Sequence, residues 1–306
     1  MSLARRDYAG ALLRWPSSLL IIIVSTCWGT SFVAIRYALG YMAPLTLGVT
    51  RAILASVMLL AVAGLAGARA PASPDLRGII WAGVFMTGLS TALLIIGLER
   101  VTSGLGALLV NATPLFLVLL AALLLKERPS ATDLAGLVIS STGVALICLP
   151  SIAGRTSMSG VILILLSALT GALGSVMLKR YPSSSTHPGM AMGIQLAISA
   201  VLIGVMAVLL GGLARPAGDV GWRFMVALLW TAGPGVALAF LIWAELLRRH
   251  SGVAVTASLL LTPVVAGLVG LALLGEPMSG VELVGGAVVL AGVALIGRSP
   301  VLERPP

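Results

Sequence analysis

Charge is scarce in this sequence. Only 9% of its 306 residues are Asp, Glu, Lys or Arg, where a soluble domain carries about 25%, so a water-exposed globule is excluded. Histidine occurs twice, at His187 and His250, both between apolar runs. No paired His or Asp motif at helical spacing joins them, which argues against the metal or acid–base cluster of a membrane-embedded enzyme. The two cysteines, Cys27 and Cys148, fall inside apolar runs and argue against a disulfide framework. Alternating strand patterns are absent, and backbone groups in lipid must be satisfied internally, so helices are expected. A channel's polar stripe or ring of charge is missing too. No cofactor-binding pattern appears, and no cofactor is expected.

What the chain has in quantity is apolar residues, 59% of the total. Runs of about 20 recur along its length, each able to cross a ~30 Å hydrocarbon core. Ten spans are predicted, at 17–38, 45–67, 77–98, 103–125, 131–149, 159–178, 189–211, 223–245, 251–274 and 280–297. Pro44, Pro71 with Pro74, Pro129, Pro150, Ser183–Ser185, Pro216 and Pro277 mark most connections. Arg5-Arg6-Asp7-Tyr8 faintly resembles a twin-arginine export signal. No small-residue cleavage site follows cleanly, so a retained first helix is expected.

The chain says nearly the same thing twice. Thr113-Pro114 matches Thr262-Pro263 at an offset of 149, as do Glu127 with Glu276, Ser130 with Ser279, Asp133 with Glu282, Gly136 with Gly285, and Gly143–Ile147 with Gly292–Ile296. Nearer the front of each half the offset is 144: Ser31 matches Ser175, Arg36-Tyr37 matches Arg180-Tyr181, Pro44 matches Pro188, and Arg51 stands opposite Gln195. So many unlike residues in register mean two homologous halves. The expected division is a cytoplasmic segment 1–16, a five-span repeat 17–149, a second at 159–297 and a cytoplasmic tail 298–306. With the N-terminus inside, thirteen Lys and Arg lie on inner segments against five on outer ones, Arg51 lying within a span. Both termini are therefore expected in the cytoplasm. Lys and Arg also account for the +9 net charge without a nucleic-acid partner. Five spans per half is odd, so the second half enters the membrane upside down. This is the inverted-repeat plan, with a site near the midplane where the halves meet.

The residues in turn resemble those of the drug/metabolite transporter superfamily, in its EamA-type branch of ten spans. The matching stretches are Trp28-Gly29-Thr30-Ser31-Phe32, Arg51, Ser103-Gly104, Pro114, the L-L-L-K-E-R of Leu123–Arg128, Gly136, Gly143-Val144 and their echoes in the second half. The resemblance covers nearly the whole chain. It implies an inner-membrane carrier of small metabolites, amino acids or toxic compounds, often moved outward, with access alternating between the two sides. A small-molecule substrate, the lipid bilayer and a monomer or homodimer are the expected partners. A membrane-embedded enzyme and a channel-like or sensor protein are the alternatives weighed against it.

Arg51 lies about six residues into a span, roughly 9 Å along the helix. A charge there costs about 2.5–3.5 kcal/mol on insertion scales and should face protein or water. It can bind a substrate carboxylate bidentately, or hold backbone carbonyls as a staple. Pro114 and Pro263 interrupt matched spans and free the carbonyls of Val110 and Leu259. That makes Asn111, Ser258 and Thr262 candidates for the cavity, against plain repair of the kinked backbone. Trp28 and Ser31 share one side of the first span, where cavity wall and helix packing are both open. Trp230 lies beside the Gly233-Pro234-Gly235 break, where Pro234 makes a hinge. Thr91 on the third span offers a hydroxyl to the same space, or to a neighbouring helix. Glu245 is a candidate for proton coupling; its neighbours Arg248 and Arg249 offer an interfacial ion pair instead. Gly136-x-x-x-Ser140 and Ala287-x-x-x-Ala291 are small-residue faces for close helix contact within one chain or between two.

Overall fold

A computed structural model describes residues 15–127, 129–152, 157–183, 185–210, 221–249 and 261–296. Among these, the chain is helical and holds no strand. Helix α1 spans Ser17–Ala38, α2 Pro44–Leu65 and α3 Ser73–Leu98. Helix α4 covers Ser103–Leu125, α5 Ala131–Ile152 and α6 Met158–Arg180. Helix α7 covers Pro188–Leu209, and α8 runs through Trp222–Ala232, Gly233–Leu238 and Ala239–Arg249. Helix α9 is described over Leu261–Leu274 and α10 over Gly280–Ile296. Seven of these, α1–α4 and α6–α8, are long and apolar enough to cross a membrane, and α5, α9 and α10 contribute shorter apolar stretches.

Short-range chemistry sets the starts. Pro44, Pro74 and Pro188 sit in first turns, where a missing N–H costs nothing. Thr102 accepts from the Leu105 N–H at the head of α4, and Ser157 from that of Gly160 at the head of α6. Helices α5 and α10 open on the same reciprocal box. The Ser130 N–H donates to the Asp133 carboxylate at 2.8 Å while the Asp133 N–H donates to Ser130 Oγ at 3.1 Å. In α10 the pair is Ser279 and Glu282, at 2.8 and 3.2 Å.

The repeat read in the sequence reappears in the packing. Helix α2 lies on α7 and α5 on α10; α1 touches α8 and α9 as α6 touches α3 and α4. Exchanging the halves maps this set of neighbours onto itself. The α5–α10 crossing obeys the same exchange atom by atom. A Cβ built on Gly143 would lie 2.5 Å from Val289 N and 2.7 Å from Gly285 O. One on Gly292 would lie 2.5 Å from Ser140 N and 2.7 Å from Gly136 O. The Gly136–Ser140 face is thus used inside the chain, where small residues let backbones approach. Its partners are Gly285, Val289 and Gly292, whereas Ala287 and Ala291 are exposed.

The turns after α4 and α9 match too: Lys126 has φ 57° and Gly275 φ 64°, each followed by a glutamate N–H bonded back to the helix, Glu127 to Ala121 O and Glu276 to Gly270 O. Left-handed backbone suits Gly275 and strains Lys126. The outside is apolar, with Leu65 79%, Leu123 75%, Leu209 77% and Leu273 73% exposed. Such a surface belongs in lipid.

Candidate functional site

Helices α3 and α8 are widened at matching depth, over Gly83–Leu89 and Gly233–Leu238, into π-helical turns. Such turns leave carbonyls that the regular ladder does not use, and they recur at functional sites. In α3, Thr87 Oγ1 donates to Gly83 O and Gln195 O at 3.2 Å each, and Ser199 Oγ donates to Thr87 O at 2.8 Å. In α8 the Arg51 Nε donates to Thr231 O at 3.2 Å, and Thr231 Oγ1 to Leu228 O at 2.8 Å.

Between these helices lies a cavity of about 530 Å³. Lys179, Ser183, Thr186 and Pro188 stand at its mouth. Gln195, seven residues into α7, and Met86 in the wide turn of α3 lie deeper, with Ser175, Phe240 and Trp243 on the walls. At 1.5 Å per residue, Gln195 is roughly 10 Å down its helix. Trp28 backs the aromatic wall, its ring centroid 5.7 Å from Phe240 and 5.5 Å from Trp243.

The two ends of the molecule are built alike and closed unequally. At the mouth, Lys179 Nζ meets Glu127 Oε2 at 2.7 Å, with 57% and 34% of the side chains exposed. At the far end Arg36 Nε meets Glu276 Oε1 at 3.2 Å, with 35% and 13% exposed. The other carboxylate oxygen of Glu276 accepts the Ser103 N–H at 2.8 Å, fastening the head of α4 to the end of α9. Behind it Phe32, Ile35, Leu98, Leu105, Ile164 and Phe224 form a buried plug. Asp75 on α3 bonds Ser185 and Thr186 beside the mouth.

None of the candidate residues singled out in the sequence is among the described residues that line this cavity. Ser31 is buried against Gly235 of α8, and its hydroxyl has no hydrogen-bond partner. Thr262 is buried with its hydroxyl unpartnered, and Pro263 is buried beside it. Thr262 O presses on α1, since a Cβ on Gly29 would lie 2.8 Å from it. Arg51 is held by Thr231 O, and Trp230 donates from Nε1 to Thr30 Oγ1 at 2.9 Å. Thr91 is half-buried two residues past the wide turn of α3. Helix α4 breaks at Asn111-Ala112 ahead of Pro114. There Thr113 Oγ1 donates to the freed Val110 carbonyl at 2.6 Å and Asn111 Nδ2 to Ala107 O at 2.8 Å. Pro234 lies within the wide turn of α8, and Glu245 is buried further along the helix. Ser258 lies outside the described residues.

The cavity wall carries instead the second-half counterparts of two candidates: Ser175, opposite Ser31, and Gln195, opposite Arg51. Their places in the repeat were visible in the sequence. Met86 was not, because Gly83 and Gly88 mark the α3 widening without any proline.

The model of the EamA-like transporter family matches residues 15–149 and again 158–298. The chain belongs to the EamA-like transporter family. It is a multi-pass membrane transporter, not an enzyme. A "Probable terminal-alkyne amino-acid exporter" of Streptantibioticus cattleyicolor is 31% identical, the match covering 93% of this chain and 94% of that one. A "Probable amino-acid metabolite efflux pump" of Salmonella typhimurium is 28% identical over 90% of this chain and 92% of its own. Among solved structures, a crystal structure 21% identical superposes with a TM-score of 0.61 over 92% of this chain and 96% of its own, which establishes the fold.

Proposed function

We propose that this EamA-like protein exports, or facilitates the passage of, small amphipathic metabolites, amino acids and their analogues first among them, by alternating access. The observation that carries this reading is the inequality of the two ends. A cavity in the ~300–1,000 Å³ range of small-molecule sites reaches inward from one end, while the half-buried Arg36–Glu276 pair and the buried apolar plug behind it close the other. Inverted halves with matched ends supply two mirrored arrangements, and passage follows from exchanging them. The walls fit a solute with an apolar part: apolar residues, Leu59, Met86, Phe240 and Trp243 among them, outnumber the five polar side chains, and among the described lining residues Lys179 is the one charged side chain. The names of the two relatives point to the same solute class. The bias of Lys and Arg supports a cavity mouth on the cytoplasmic side of the inner membrane, with both termini. This is the side from which an exporter loads. Asn111, Ser258 and Thr262 then belong to the arrangement open to the outside, together with Ser31 and Arg51.

The test is uptake of labelled amino acids into liposomes containing the purified protein, with and without unlabelled solute trapped inside. Faster uptake against trapped solute is the expected result. A flux indifferent to trapped solute, as a channel gives, contradicts the reading.

A further inference from the structure

Gln195 is a polar side chain that the fold does not use. It is 97% buried, its Oε1 has no hydrogen-bond partner, and it lies on the cavity wall. A buried amide oxygen without a partner costs free energy that folding alone does not return. Its counterpart shows what a structural role at this place looks like: Arg51 donates to the Thr231 carbonyl just ahead of the wide turn of α8. In α3 the equivalent work is done by Thr87 and Ser199, which occupy the Gly83, Thr87 and Gln195 carbonyls. These three carbonyls are engaged without the amide.

We infer that Gln195 is the residue that selects the solute's polar head, and that the head it selects carries a donor and an acceptor together, as the ammonium and carboxylate of an amino acid do. This rests on the transport reading above. The amide oxygen accepts from an ammonium and the amide N–H donates to a carboxylate. A lone amine or a lone acid satisfies one end and leaves the other buried and bare, which is how a site rejects an analogue that lacks a group. No carboxylate is found among the described lining residues to capture a lone amine as an ion pair. Lys179, the charge at the mouth, is engaged with Glu127. Met86, Phe240 and Trp243 face the same space and take the apolar part.

Three probes of one shape test this in liposomes: L-leucine, isoamylamine, which lacks the carboxylate, and 4-methylpentanoate, which lacks the amine. The wild-type protein is expected to favour leucine. In Gln195→Leu the KM for leucine rises about 10- to 100-fold, the range for hydrogen bonds to charged groups, while the other two change less. Gln195→Glu preserves the shape and moves the preference to isoamylamine, which covers the case in which the leucine variant does not fold. Equal loss for all three probes, or an unchanged order in Gln195→Glu, overturns the role of Gln195. Absence of flux for all three in the wild-type protein overturns the amino-acid reading itself.

Discussion

Replacing Glu276 by glutamine should open the far end of the molecule. The amide keeps an acceptor for the Ser103 N–H, now 2.8 Å away, but removes the charge that holds Arg36 at 3.2 Å. Arg36 Nε faces Glu276 as an ion pair and not a hydrogen bond. With 35% of the Arg36 side chain exposed, the pair contributes about 1 kcal/mol, towards the top of the range of about 0–1 in which the more exposed Lys179–Glu127 pair at the mouth lies lower. With 13% of the Glu276 side chain exposed against 34% for Glu127, the imbalance favouring closure of the far end is about 0.5–1 kcal/mol, a factor of roughly 2–5 in population. The reporter is Ser31→Cys, made in a background without Cys27 and Cys148, because Ser31 is 3% exposed in the closed arrangement. A membrane-impermeant maleimide supplied at the far end should label it about 2- to 5-fold faster once Glu276→Gln is added. Lys179→Gln in the same background should leave that labelling the same or slower. No acceleration with Glu276→Gln, or a larger one with Lys179→Gln, refutes the assignment of Arg36 and Glu276 as the closing pair.

Three further outcomes follow from the packing. Gly143→Val forces side-chain atoms onto Val289 N and Gly285 O at the α5–α10 crossing, and should cost about 1–3 kcal/mol; thermal unfolding in detergent, followed by size exclusion, measures it, and an unchanged midpoint contradicts the close crossing. Lys126→Gly relieves a left-handed residue at φ 57° and should stabilise by about 1 kcal/mol, whereas Gly275→Ala, at φ 64°, should destabilise by a similar amount. Trp28→Ala removes the backing of Phe240 and Trp243, and Asn111→Ala a polar group at the α4 break. Both should abolish transport at normal expression, and unaltered transport in both excludes these residues from the pathway.

Much of this architecture was legible in the sequence because the gene records it twice. The 149-residue offset that pairs Gly136 with Gly285 and Gly143 with Gly292 returns as the reciprocal α5–α10 contacts. The break at Asn111 follows from Pro114, whose missing N–H orphans one carbonyl, and the hydroxyl that repairs it is Thr113. The widening of α3 left no such mark, since Gly83 and Gly88 keep the hydrophobic run intact. Nor did hydropathy connect Arg36 with Glu276, two charges at span ends 240 residues apart in the chain. The available signal was the matched place of Glu127 and Glu276 in the repeat; Arg36 matches Arg180, the neighbour of the Lys179 that pairs with Glu127. The cavity wall was the hardest feature to read. Symmetry offers Ser31 and Arg51 or Ser175 and Gln195 equally, and which set faces the open space depends on the arrangement the halves adopt, a difference of a few kcal/mol spread over the whole interface.

The central claim is that the halves exchange access to one cavity, and counter-flow tests it most directly. Liposomes holding the purified protein are preloaded with unlabelled L-leucine and presented with a trace of the labelled solute outside. Alternating access predicts a transient overshoot of labelled leucine inside that grows with the trapped concentration and saturates. A labelled flux that rises without saturating and ignores the trapped solute would contradict it.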